Sequence, residues 1–390
     1  MPHIEETMKD GVQIFSFHGR IDSSNSEEIA SSVMPKMAGQ VVFDFADVQY
    51  ISSAGLRFVL NAAKQASSFR VDNVRPEVYE VFDMTGFTQI IKVNKAMREI
   101  SIEGKEMIGE GYMGRVYRLD PDTIIKVFYR GGADTLADIE RETGLAKKAF
   151  ILGIPTAIPF DVVRVKEGGY GSVFELLKSN SFNKLFIAHP ENTDCYIKMY
   201  VDLLKTILST KVEDGSLPRK KELGFQYAAS LREKKAFDEK TLDKIDRLMA
   251  SIPESNHLVH GDFHIKNIMM QGEEPLLIDM DTIGVGHPIF EFAGFFLCYI
   301  GYGATEPGNC QAFLGISDEL AARMFYAAVD GVYADRSEEE RKAIVDKIAL
   351  FSYIWFVDKT LIFEPENLKR LNHAKEQVLS LIDKYDTLDF

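Results

Sequence analysis

Within HLVHGDFHIKNIMM, residues 257–270, the side chains His260, Asp262, His264, Lys266 and Asn267 fall inside eight positions flanked by apolar residues, and a second acid, Asp279, follows Asn267 by twelve. A metal site, a surface turn and a catalytic loop would each use such a cluster. Zinc would take His260 and His264 at i, i+4, which needs a helix, and LVHGDF, with a glycine and a β-branched residue, is a poor one. Phosphoryl transfer fits the spacing better. It uses His-x-Asp-x-x-x-x-Asn and then an aspartate after the next strand. The first aspartate takes or orients the proton of an attacking hydroxyl, and the asparagine and second aspartate hold magnesium. HGDFHIKN and LLIDMD supply these groups as Asp262, Asn267 and Asp279.

A second cluster lies far upstream. MIGEGYMGRVYRL carries Gly109, Gly111 and Gly114 in GxGxxG spacing, which by itself also serves dinucleotide-binding folds. In those folds the last glycine opens a helix. Here Gly114 is followed by RVYRL, a DPDT turn and TIIKVF, so the glycines join two antiparallel strands, as in a loop that covers nucleotide phosphates with backbone N–H groups. Lys126, inside IIKVF, is then placed on the α- and β-phosphates. A lysine in an apolar strand calls for a carboxylate partner, and the next helix, TLADIERETGLAKKAF, offers Glu140 and Glu142. Glu142 is the expected partner, although the two stand about 200° apart around a helix and sequence leaves both open.

These groups must be positioned by a chain of 390 residues, a length that suits two or three domains. The first hundred residues alternate VQIFSFHG and QVVFDFADV, which read as strands, with SEEIASSVMPKM, AGLRFVLNAAKQA and PEVYEVFDMTGF, which read as helices. The pattern changes near residue 100 to β-hairpin signals, and from Asn192 onward apolar residues recur mostly at helical spacing. The expected division is 1–100 and 101–390, the latter split into lobes of about 101–177 and 178–390. A net charge of −14 argues against non-specific nucleic-acid binding. The three cysteines, Cys195, Cys298 and Cys310, form no CxxC pair and suit a reducing compartment. With no apolar run long enough to span a bilayer and an acidic N-terminus, a cytoplasmic protein without membrane contact is expected.

Residues 105 to about 300 resemble the aminoglycoside and choline phosphotransferase branch of the kinase superfamily, whose loop commonly reads His-Gly-Asp-x-His-x-x-Asn before an Ile-Asp motif. HGDFHIKN and LIDMDTIGVGHPIFEFA carry the resemblance. It implies a two-lobed α+β fold with a mostly helical C-lobe and ATP- and Mg²⁺-dependent phosphorylation of a hydroxyl. Asp262 would be the catalytic base, Asn267 and Asp279 the magnesium ligands and Lys126 the nucleotide contact. SVFELL would be the hinge that meets adenine through backbone around Glu175 to Leu177. Two positions depart from the family: Glu291 stands where an aspartate is usual, and His287 where an acid is common. Asp330 and Asp335, in the helical region, are candidates to meet a cationic acceptor, although a solvated helix face also explains them.

The segment VVFDFADVQYISSAGLRFVLNAAKQ, with VRPEVYEVFDMTGFTQIIKV after it, resembles the STAS domain of anti-sigma-factor antagonists, an α/β fold. In that family a serine at the position of Ser53 accepts phosphate from a partner kinase, and added charge on that surface would repel a docked partner. The usual Asp-Ser-Ser-Gly is here Ser52-Ser53-Ala54-Gly55, so the aspartate is missing and an ordinary helix cap explains the serines equally well. The leading expectation is a small-molecule kinase fused to a STAS module that an anti-sigma-type protein partner would engage. A protein serine kinase acting on Ser53 or on a signalling partner, and a non-catalytic nucleotide sensor of an anti-sigma-type pathway, are the alternatives.

Overall fold

A computed structural model describes residues 4–111, 113–129, 133–177 and 180–390. It divides into two compact units, Met1–Ser101 and Ile102–Phe390. The lobe boundary expected within the second unit falls beside residues 178 and 179, which lie outside the described residues.

In the first unit β1 (Ile4–Lys9), β2 (Val12–Ile21), β3 (Gln40–Ile51), β4 (Ser68–Val74) and β5 (Lys92–Lys95) form one sheet in that order. The β1–β2 pair is antiparallel and the others are parallel. Parallel neighbours need crossovers, and α1 (Ser26–Val33), α2 (Ser53–Gln65) and α3 (Pro76–Met84) provide them. Alternation along β2 turns Phe15 and Phe17 inward, where Phe17 and Phe58 pack on Phe43 with ring centroids 4.8 and 5.2 Å away. Sequence periodicity showed only two of the five strands. β1 is exposed at five of its six positions, so it lacks the apolar alternation that marks a strand.

The second unit opens with β6 (Met107–Glu110), β7 (Gly114–Arg118) and β8 (Thr123–Phe128), then α4 (Ala133–Ile151), β9 (Pro159–Val165) and β10 (Tyr170–Glu175). Their antiparallel order is β9-β10-β8-β7-β6. The Pro121 turn between β7 and β8 is held by Asp120, whose Oδ1 accepts the N–H groups of Asp122 and Thr123, each at 2.9 Å. Helix α4 lies against this sheet and against the Met280–Thr282 turn. The rest is mainly helical: α5 (Phe182–Ala188), α6 (Thr193–Ser209), α7 (Lys221–Glu233), α8 (Glu239–Ser251), α9 (Ile289–Phe296), α10 (Asn309–Phe313), α11 (Asp318–Val332), α12 (Glu338–Phe363) and α13 (Leu368–Leu381). Ahead of α9, Ile268–Gln271 and Glu274–Leu277 form a hairpin. This is the expected STAS-like sheet followed by a kinase-like fold. Among the described residues no helix is long and apolar enough to cross a membrane.

The helical core reaches the functional loop through aromatic side chains. Phe263 is buried with its ring 4.6 Å from Tyr200, and the Tyr200 hydroxyl donates to the Phe263 carbonyl at 3.3 Å. Tyr299 sits in a widened π-type turn at Leu297–Gly301 that continues α9. Its hydroxyl accepts from Ile265 N–H at 3.0 Å, so a buried loop amide is satisfied without secondary structure.

His287 is buried in this unit against the Phe390 ring, 4.5 Å away, and burial lowers its pKa from 6.5 to about 4. A base whose folded pKa is depressed contributes stability that is present above pH 6.5 and lost as pH falls through about 4. The full shift corresponds to about 3 kcal/mol. Urea midpoints of the full chain should therefore decline over that window, and more steeply than in His287→Gln. Equal slopes would contradict this.

Candidate active site

Lys126 lies on β8 and Glu142 on the facing side of α4, and Lys126 Nζ donates to Glu142 Oε1 at 2.6 Å. Glu142 is buried while Glu140 is exposed. The helix phase that sequence left open is thereby resolved. Lys126 Nζ also reaches Asp279 Oδ1 at 3.3 Å. Burial opposes the ammonium, but Asp279 and Glu142 outweigh it and raise the Lys126 pKa. Asp279 itself is held in the left-handed region, with φ 67° and ψ 65°. That conformation is uncommon for a non-glycine residue and turns the chain sharply after the strand.

The catalytic-loop candidates converge on one another. Asn267 Nδ2 donates to both the carbonyl and the Oδ2 of Asp262, each at 3.0 Å. His264 Nε2 stands 3.5 Å from the same Oδ2. Burial pushes the Asp262 carboxyl up, yet His264, His260 and Asn267 hold it on balance below its ordinary value. Asp262 is thus an ionised carboxylate with a fixed orientation. His260 is buried, accepts the Asp262 N–H on Nδ1 at 3.2 Å, and is lowered by burial to about 4, so it is neutral near pH 7. It shapes the loop through that backbone contact.

Two residues that sequence reasoning undervalued hold the loop from behind. Glu291 reads in the sequence as a departure bearing on substrate. It is fully buried, and its carboxylate accepts the N–H groups of His260 at 2.5 Å and Gly261 at 3.0 Å. Burial lifts its pKa to about 7, against the pull of those two N–H groups and of Lys220. Lys220, just before α7, donates to the Thr282 carbonyl, while Thr282 Oγ1 donates to His260 O at 2.7 Å. A Cβ at Gly284 would lie 2.7 Å from Lys220 Cε, and one at Gly286 would lie 2.9 Å from its Cβ. These glycines leave the channel through which the lysine reaches the loop. The only sequence signal for this was the glycine spacing itself.

The glycine-rich loop separates into different roles. A Cβ on Gly114 would strike the Val127 carbonyl at 2.1 Å, so that glycine is required by the neighbouring strand. Around Gly111 there is open space, and a Cβ on Gly109 would make only ordinary contact with Val116. The Gly111 N–H is spent on the Gly114 carbonyl at 2.9 Å, so at this position the loop offers a ligand a surface without side chains rather than a free donor. At the expected hinge, the N–H groups of Glu175 and Leu176 donate to Ile158 O and Asp122 O at 2.9 and 2.8 Å. Adenine recognition there would have to use carbonyls or Leu177. Asp330 pairs with Arg341 at 2.8 Å, and Asp335 is a solvated helix-end acid near Arg336.

Among the described residues no three His, Cys, Asp or Glu side chains converge to hold a metal by themselves. Asn267 and Asp279 nevertheless suit magnesium, which commonly takes one or two protein oxygens and completes its shell with water and phosphates. Asn267 spends its NH₂ on Asp262, which leaves Oδ1 as the ligand atom. Asp281, missed in the sequence reading, is raised to about 6 by burial and by the nearby Asp279 and Glu142 carboxylates. The site therefore holds more negative charge than Lys126 neutralises.

On the first unit, the Ser52 hydroxyl accepts from Ala54 and Gly55 N–H at 3.2 and 3.4 Å and caps α2. Ser53 begins the helix and is exposed.

A family model for the STAS domain matches residues 3–100, and one for the phosphotransferase enzyme family matches residues 106–326. The chain is 37% identical over 91 residues to the proposed anti-sigma factor antagonist BtrV of Bordetella bronchiseptica, a match covering 22% of this chain and 78% of that relative. Similar solved structures include the ADP-bound aminoglycoside phosphotransferase APH(2'')-Ib, at 16% identity and TM-score 0.46 over 80% of this chain and 98% of that one. Another is the aminoglycoside phosphotransferase APH(4)-Ia, at 12% identity and TM-score 0.48 over 72% and 93%.

Proposed function

Because this chain belongs to the phosphotransferase enzyme family and carries an N-terminal STAS domain, we propose that it moves the γ-phosphoryl group of ATP to a hydroxyl of a small molecule. The observation that carries this reading is the orientation of Asp262: an ionised carboxylate fixed by Asn267, on the loop that leads to the Lys126–Glu142–Asp279 cluster. In the transfer the bond from γ-phosphorus to the ADP oxygen breaks and a bond to the acceptor oxygen forms. The hydroxyl proton passes to Asp262. Lys126 neutralises nucleotide phosphates, held in place by Glu142, and backbone near Gly109 and Gly111 lies over them. Adenine rests at the Glu175–Leu177 backbone. Asn267 and Asp279 would hold Mg²⁺, which would supply neutralisation of the phosphate charge.

The test is incubation of the full chain with ATP, Mg²⁺ and a panel of small hydroxyl compounds, with products separated by mass. A phosphorylated small molecule together with ADP supports the proposal. ADP formation matched by phosphate on Ser53, absent in Asp262→Asn, supports instead a protein kinase acting on the STAS serine. The exposure of Ser53, beside a Ser52 hydroxyl already spent on the helix cap, favours keeping that second reading. No turnover of ATP across the panel would favour a nucleotide-sensing regulator. The STAS domain fits engagement of a protein partner.

A further inference from the structure

The single tryptophan of the chain, Trp355, lies on α12. A Cβ built on Gly294 would lie 3.5 Å from the Gly261 carbonyl and 3.8 Å from Trp355 Cζ3, so the indole stands beside the backbone that leads into Asp262. Its other neighbour is Tyr227 of α7, stacked at 5.9 Å with planes 17° apart. Four residues along the same face of α12, Lys359 places Nζ 4.9 Å from the centre of the indole.

Lys359 lies partly buried on α12. Among the described residues no carboxylate forms an ion pair with it. Burial lowers its pKa, and the negative charges acting against that are Asp262 and Glu364. Glu364 is already bound to Arg370 at 2.5 Å, and Arg370 also engages Glu306. Three further acids of this helical region are likewise occupied. Asp358 is buried, accepts the Ser230 hydroxyl at 2.5 Å and lies 3.4 Å from Lys234. Asp318 accepts the Gly308 and Cys310 N–H groups, and Asp330 holds Arg341. A cationic group drawn to these acids would have to break existing contacts. A partly buried ammonium with no carboxylate paired to it instead gains from an anion, because leaving it alone costs solvation.

We propose that the acceptor is a hydroxyl compound bearing an oxyanion, a carboxylate or a phosphate, bound by Lys359 with its body against Trp355. This deepens the phosphotransferase reading and rests on it. Lys359 is then a specificity residue: it neutralises the acceptor and keeps that anion from competing with the γ-phosphate for the charge around Lys126.

Four hexose derivatives of matched size separate the possibilities: gluconate, glucose 6-phosphate, glucose and glucosamine. The emission of Trp355, as the sole tryptophan, reports binding in the full chain. The anionic compounds should change it saturably, and glucose and glucosamine should bind at least tenfold more weakly. Gluconate alone responding identifies a carboxylate site, and glucose 6-phosphate alone a phosphate site. Lys359→Met should weaken the responding anion about tenfold, and Lys359→Arg should restore most of it, with thermal melts confirming folded protein. The proposal is overturned if glucosamine binds as well as the anions, if Lys359→Met leaves anion affinity unchanged, or if none of the four alters the emission. Failure of the underlying reading shows separately, as the absence of any ADP formation that depends on Asp262.

Discussion

Asp262→Asn is expected to lower turnover by roughly 100- to 10,000-fold, the range assigned to a positioned general base, while ATP affinity changes by less than about threefold. The substitution keeps the side-chain shape and removes the charge that Asn267 and His264 organise. Loss confined to kcat is the signature of an interaction used at the transition state rather than in binding. The nucleotide contacts proposed for Lys126 and the glycine-rich loop come from the opposite sheet, so they should survive. Measuring kcat and the ATP dissociation constant on the same preparation checks both parts. A parallel loss of ATP binding would place Asp262 in nucleotide recognition instead.

Lys126→Met is expected to cost on the order of 100-fold in kcat/KM for ATP, comparable to removing one preorganised donor from a developing charge. Its consequence for Glu142 is more discriminating. Glu142 is buried with Lys126 at 2.6 Å, so in the wild-type background Glu142→Gln should lower activity by releasing the ammonium from its position. In the Lys126→Met background the same change should cost little, because a residue that acts only through another loses its effect when that other is gone. Additive losses in the double variant would mean that Glu142 acts on nucleotide or metal by itself.

What the sequence made legible follows the range of the interactions. Asp262 and Asn267 lie on one loop, and their mutual hydrogen bonds are a local matter that spacing encodes. Asp279 and Lys126 were placed by the order of loop, strand and hairpin, and they meet in space as that order implies. The choice between Glu140 and Glu142 was illegible because it depends on which face of α4 meets the sheet. The structural part played by Glu291 was illegible for a different reason. An acid near a substrate region is ordinarily solvated, and only the fold shows it fully buried beneath the backbone of His260 and Gly261. Lys220 was invisible on the same ground: its target lies about sixty residues away, and the glycines that admit it resemble turn residues. The GxGxxG spacing, read as one motif, divides by surroundings: Gly114 answers to the Val127 carbonyl, Gly109 stands at ordinary contact distance from Val116, and Gly111 has open space about it.

The central claim is that this chain transfers the γ-phosphoryl group of ATP to a small hydroxyl compound through Asp262. Its most direct test supplies ATP labelled in the γ-phosphoryl group to the wild-type chain and to Asp262→Asn, with Mg²⁺ and the hydroxyl-compound panel, and follows the label. Transfer through Asp262 puts label in a small-molecule product, with one ADP for each group transferred, and that product is lost in the variant. Label that stays in ATP, or appears only as inorganic phosphate at a rate the substitution does not change, would contradict it.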